Sequence, residues 1–202
     1  MSLMPDSSSV RCKPKTLLAA LALAIALAAP AGAETPPEGA RAEAQALIKQ
    51  FAGKLKGALK GAIDAGGFEN AIGVCKNEAP KIAEDVSAGS VWRIGRTALR
   101  VRNPANAPAP DERAVLEAFL TRASAGEDLA KMDKEWVEDT DGRRSYRYMK
   151  AIPLGELCAS CHGTEIEPNL AAKIQAAYPQ DQATGFAVGT LRGAFTLAKP
   201  LD

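Results

Sequence analysis

Histidine occurs once in these 202 residues, and no charge of one sign prevails: 25 Lys+Arg stand against 24 Asp+Glu, a formal net charge of +1. Without a basic excess there is no stripe of cations to neutralise a phosphate backbone, which argues against nucleic acid as a partner. A single imidazole excludes any centre that takes two from one chain. The sequence also lacks internal repeats, low-complexity segments and, after residue 33, any long apolar run. A solenoid, a disordered chain and a membrane span beyond that point are therefore not expected. With 47% hydrophobic and 24% charged residues the composition is that of an ordinary globular chain. Function has to come from a local site.

What is present begins with an export signal, expected over residues 1–33 and cleaved after Ala33. Arg11, Lys13 and Lys15 charge its first part, Thr16 to Ala29 is almost wholly apolar, and Ala31-Gly32-Ala33 is a small-residue cleavage pattern. The apolar stretch falls short of the roughly 20 residues that span hydrocarbon, which argues against an uncleaved anchor. Cys12 precedes that stretch, which argues against a lipoprotein. Residues 34–40 read as a Pro/Gly/Glu leader, and 41–202 as one domain of a soluble, periplasmic product in an oxidising compartment.

From Arg41, Leu47, Ile48, Phe51, Leu55, Leu59 and Ile63 recur at spacings of three and four, the mark of an amphipathic helix. Gly66-Gly67 ends it, and Phe68, Ile72, Cys75 and Ala79 continue in a second helix that Pro80 interrupts or kinks. Val91 to Val101 alternates as a half-buried strand, and the Pro-rich 102–110 segment reads as a loop. Asp111 is expected to cap a helix carrying Val115, Leu116, Phe119 and Leu120. A hairpin over Lys134–Pro153 turns through Asp139-Thr140-Asp141-Gly142, with Tyr146 and Tyr148 on one face and Arg147 and Met149 on the other. A helix near Leu170–Tyr178 and a strand over Gly189–Ala198 complete an α+β pattern with a small antiparallel sheet.

One segment carries chemistry. Cys158-Ala159-Ser160-Cys161-His162 has the spacing of a haem c attachment site. Two thiols on one turn can each add to a vinyl group of one porphyrin, and the adjacent imidazole then becomes the proximal ligand. A thioredoxin-like pair does not need the following histidine, and a zinc site lacks a fourth ligand beyond Cys75. One motif and one histidine imply one covalent haem. The sixth ligand is open between Cys75, Met132, Met149, a lysine or nothing. Cys75 is left without an intrachain disulfide partner, so it is either a buried small hydrophobe or a ligand. Arg96, Arg102 and Arg147 are candidates for the haem propionates, with a solvated surface charge as the plainer reading of each. Tyr178 is a candidate wall of the pocket, and Trp92 and Trp136 read as packing rather than electron conduits.

Several phrases, in order, resemble one family: Ala71-Ile72-Gly73-Val74-Cys75 with Ala79-Pro80, Gly95-Arg96-Thr97, Arg102-Asn103-Pro104-Ala105-Asn106, Tyr146-Arg147-Tyr148-Met149, the haem motif with Gly163, the run from Tyr178 to Gly185, and Gly189 to Gly193. This is the family of exported mono-haem c proteins once known only as a domain of unknown function, related to a soluble cyanobacterial cytochrome. The resemblance spans about residues 40 to 199. It implies a PAS-like antiparallel sheet flanked by helices, with one haem c held by His162 and by the Cys75 thiolate. Ala98 after Thr97 departs from the family pattern. A thiolate donor stabilises ferric iron, so His/Cys ligation implies a low-potential centre with both axial positions filled.

The reading that follows is a periplasmic c-type cytochrome that transfers electrons to a redox partner and is not an enzyme, since no second histidine is available as a distal acid or base. The alternative is a haem-based redox or diatomic-gas sensor acting through a separate partner.

Overall fold

The computed structural model describes residues 35–201, and all the elements below lie within them. The expected signal segment falls outside the described residues. The first element, α1 (Ala40–Gly73), buries Ala40, Ala44, Ile48, Phe51 and Leu55. That spacing puts them on one stripe facing the core. The helix breaks where glycine was expected to stop it: Gly66 is extended and Gly67 has φ 73°, a conformation a side chain disfavours. The chain resumes helically and passes through a π-helical turn, Val74–Glu78, into α2 (Ala79–Ser87). Pro80 explains the turn. Its ring displaces the carbonyl four residues back, and the amide of Ala79 bonds instead to the oxygen of Val74, five residues back.

Four antiparallel strands follow, β1 (Arg93–Thr97), β2 (Asp133–Thr140), β3 (Arg143–Pro153) and β4 (Leu191–Leu201), in the spatial order β1-β4-β3-β2. The expected strand over Val91–Val101 is shorter. It ends at Thr97 because the chain turns there, with the Ala98 amide donating to the Asn106 carbonyl. The β2–β3 hairpin closes through Asp141-Gly142, whose φ values of 54° and 76° fit the tight turn with both central residues left-handed. Between the strands lie α3 (Pro110–Ser124), α4 (Glu156–His162) and α5 (Pro168–Ala177). Asp111 does not cap α3. Glu112 does, accepting the Ala109 amide at 3.2 Å.

The sheet has helices on both faces, and the period of two divides its side chains between them. On one face α1 and α2 pack over Trp92, Ile94, Tyr146, Tyr148 and Leu197. Phe51 meets Phe195 edge-on at 5.9 Å, and Trp92 meets Tyr146 at 5.7 Å. On the other, α3 packs Leu116 and Phe119 onto Met132, Met149, Ala151 and Ala194. The sequence placed Tyr146/Tyr148 and Arg147/Met149 on opposite faces, and so they are. Phe51 is 1% exposed, and truncating it to alanine would cost about 3–5 kcal/mol. Among the described residues no helix is long and apolar enough to cross a membrane.

Candidate functional site

The second half of α1 stays packed on the core through Leu55 and Leu59. Leu55, Leu59 and Ile63, then Phe68 and Ile72 beyond the glycine break, form one wall of a cleft. α4 lines the same cleft with Leu157, Cys158, Cys161 and His162, the edge strand β1 contributes Arg96, and its neighbour β4 contributes Arg192 and Phe195. Cys75, presented by the π turn, also lines this cleft, as do Arg102 and Tyr178. Residues more than 80 positions apart in the chain are thus gathered at one opening.

α4 holds its own chemistry in place. Cys158 and Cys161 are three residues apart, so they share a helix face, and both are free thiols, as is Cys75. His162 ends the helix, and its Nδ1 lies 2.6 Å from the Ala183 carbonyl oxygen. A carbonyl only accepts, so Nδ1 carries the proton and Nε2 keeps its lone pair, the tautomer a metal ligand needs. Burial, reinforced by Arg192 and Arg102, pushes this imidazole down to about 3. It is neutral across the physiological range.

A second layer fixes that arrangement. Arg102 donates to Asp181 Oδ2 at 3.0 Å and to the Cys161 carbonyl at 2.6 Å, in an ion pair 8% and 4% exposed. Asp181 in turn accepts the Ala183 amide at 2.8 Å. The amides of Gly185 and Phe186 donate to the carbonyls of Gly163 and His162. Gly163 must be small here: a Cβ would sit 2.4 Å from the Ala159 carbonyl oxygen. Across the cleft, burial raises the Cys75 thiol while Arg96 and Arg102 pull it down. Tyr178 is buried beside it, raised to about 12 by burial and by Cys75, and Lys76 lies 5.7 Å from its ring centre.

Of the residues singled out in the sequence, Cys75, Arg96, Arg102, Cys158, Cys161, His162 and Tyr178 meet at the cleft. Arg147 does not. It is on the α3 face, bound to Glu112 at 2.9 Å and Glu138 at 2.7 Å and stacked near Trp136. Met132 and Met149, the rival sulfurs, are both fully buried in the α3-face core. Arg102 is committed to Asp181, while Arg96 has Phe51 at 5.6 Å and no anionic partner among the described residues.

Residues 22–200 match the model of the Tll0287-like family. The chain belongs to the Tll0287-like family. It is also similar in structure to the cyanobacterial heme-protein Tll0287, with a TM-score of 0.60 and 25% identity over 83% of this chain and 98% of that one. No curated protein matches it. Within this Tll0287-like chain, sequence reasoning missed Arg192 as a site residue, although it lies inside the Gly189–Gly193 phrase that resembles the family; β4 carries it into the cleft.

The cleft fits a porphyrin by the chemistry of its walls. It offers a broad apolar side, two thiols beside an imidazole with a free Nε2, a third thiol, and guanidinium groups. One of these, Arg192, has a buried Nε with no partner in the described structure.

Proposed function

We propose that this protein is a periplasmic mono-haem c-type cytochrome with a PAS-like fold, which transfers electrons at low potential and turns over no substrate. One observation carries the reading: a single apolar cleft is lined by the Cys158-Cys161-His162 helix and by the Cys75 turn, with the imidazole already oriented through Ala183. The membership of a family that includes a haem protein supports it.

In this reading Cys158 and Cys161, free thiols on one helix turn, would hold the group by thioether bonds, each S–H adding across a vinyl group without loss of atoms. His162 binds through Nε2, and Ala183 keeps the ring from turning. Cys75 would be the second protein donor to the iron, favoured over Met132 and Met149 because they lie in the opposite core. Leu55, Leu59, Ile63, Phe68 and Ile72 exclude water from the apolar faces. When bound, haem would supply a ferric/ferrous couple, and a Cys75 thiolate donor would favour the ferric form.

The test is expression with a haem c maturation system, followed by haem staining after denaturing electrophoresis, intact mass, and ferric and ferrous spectra with and without carbon monoxide. One haem per chain and no carbon monoxide shift are expected, and Cys75→Ser should alter the spectrum and raise the potential. A bare polypeptide mass would refute haem attachment. Rapid carbon monoxide binding with loss of the Cys75 signature would replace electron transfer by gas sensing.

A further inference from the structure

Three arginines converge on the cleft, and they differ in what satisfies them. Arg102 is neutralised by Asp181, which it meets at 2.9 Å. Arg96 has no carboxylate partner among the described residues; its guanidinium lies 5.6 Å from the Phe51 ring. Arg192 donates from Nη1 to the Arg100 carbonyl at 3.3 Å, lies 5.3 Å from the Phe186 ring, and leaves its buried Nε without a partner. The carboxylate that faces Arg192 is Asp181, and its oxygens already hold Arg102 and the Ala183 amide. Arg96 and Arg192 are near enough to repel: burial, Arg102 and Arg96 together bring Arg192 down to about 10.

Arg96 and Arg192 are half-buried beside each other with no carboxylate of their own among the described residues, Arg96 having the Cys75 thiol near it, and holding two like charges together away from water is costly. A fold keeps such a pair when something outside the chain neutralises it. The planar guanidinium fork selects carboxylate or phosphate oxygens. The demand is for two negative charges in a cleft with a broad apolar lining, which is the pattern of a porphyrin with its two carboxylates.

We infer that Arg96 and Arg192 form an anion-binding pair that receives the two porphyrin carboxylates. This rests on the haem reading above. Arg102 is a positioning residue that holds the Cys161 carbonyl and Asp181, and Arg147 takes no part.

The experiment uses the haem-loaded protein and compares wild type with Arg96→Gln, Arg192→Gln, Arg192→Lys and, as a control on the far face, Arg147→Lys. Midpoint potential and the propionate bending modes of the resonance Raman spectrum are read. Each glutamine variant should shift the potential to more negative values and move the propionate modes. Arg192→Lys, which keeps the charge but not the fork, should restore most of the potential and leave the modes altered. Arg147→Lys should change neither. Unchanged potential and modes in both loaded glutamine variants would overturn the pairing. If Arg192→Gln does not load, the Raman modes of Arg192→Lys decide, and unshifted modes overturn it. Inorganic phosphate added to the loaded wild type should have no effect. A phosphate-induced shift that disappears in Arg192→Gln would show the arginines free for another anion and overturn the assignment. Absence of haem from the wild type itself would refute the haem reading, a distinguishable result.

Discussion

The two faces of the sheet treat arginine in opposite ways. On the α3 side, Arg147 is surrounded by Glu112, Glu138 and Asp111, and Glu112 also takes a hydrogen bond from Thr196. On the cleft side, Arg96 and Arg192 have no carboxylate of their own within the described residues, and Arg102 alone has Asp181. A buried cation with acids from its own chain is part of the scaffold. Arg96 and Arg192 are half-buried without them, the arrangement that an anionic ligand would complete.

The contrast can be broken most severely at its one crossover point. Asp181→Asn would convert Arg102 from a satisfied cation into a third unpaired one and should cost about 4 kcal/mol, read from urea unfolding. A loss under about 1 kcal/mol would mean that Arg102 does not depend on its partner. On the other face, Arg147→Met strands the half-capped Glu112 carboxylate and should cost about 3 kcal/mol while leaving the spectrum of the loaded protein unchanged. A spectral change there would place Arg147 in the site after all. Gly163→Ala drives a Cβ into the Ala159 carbonyl and should cost about 2 kcal/mol, with weakened haem incorporation as α4 shifts. Met149→Leu gives the smallest effect, under about 1.5 kcal/mol and spectroscopically silent. If it alone removed the axial sulfur signature, the wrong sulfur has been assigned to the iron.

Much of this was legible in the chain, and the failures have physical reasons. The hairpin faces were readable because period-two alternation is local, and the same alternation contained the signal against Arg147: the residue between Tyr146 and Tyr148 cannot share their face. The α4 motif was readable because its chemistry fits within one helical turn. β1 was overextended because Leu99 and Val101 continue the alternation while the Ala98–Asn106 hydrogen bond, a contact between loops, turns the chain away. Arg192 lay within the Gly189–Gly193 phrase, but its place in the cleft was unreadable for a related reason. It enters the cleft through the pairing of β4 with β1 and β3, and strand register is not written in the residues around a single arginine. Likewise, Pro80 announced a kink, but nothing announced that the kink would take π form.

That π turn makes the place of Cys75 a matter of counting. A π turn carries one residue more than an α-helix needs to climb the same height. Losing one residue within Val74–Glu78, Asn77 for instance, would let the ladder close as a regular α-helix with its flanks in place, and the bulged turn that presents Cys75 would be gone. The thiol is therefore indifferent to many exchanges of its neighbours and vulnerable to any change in their number. A chain of this fold that keeps a sulfur aimed across the cleft has to keep the tally between Gly67 and Pro80 as well.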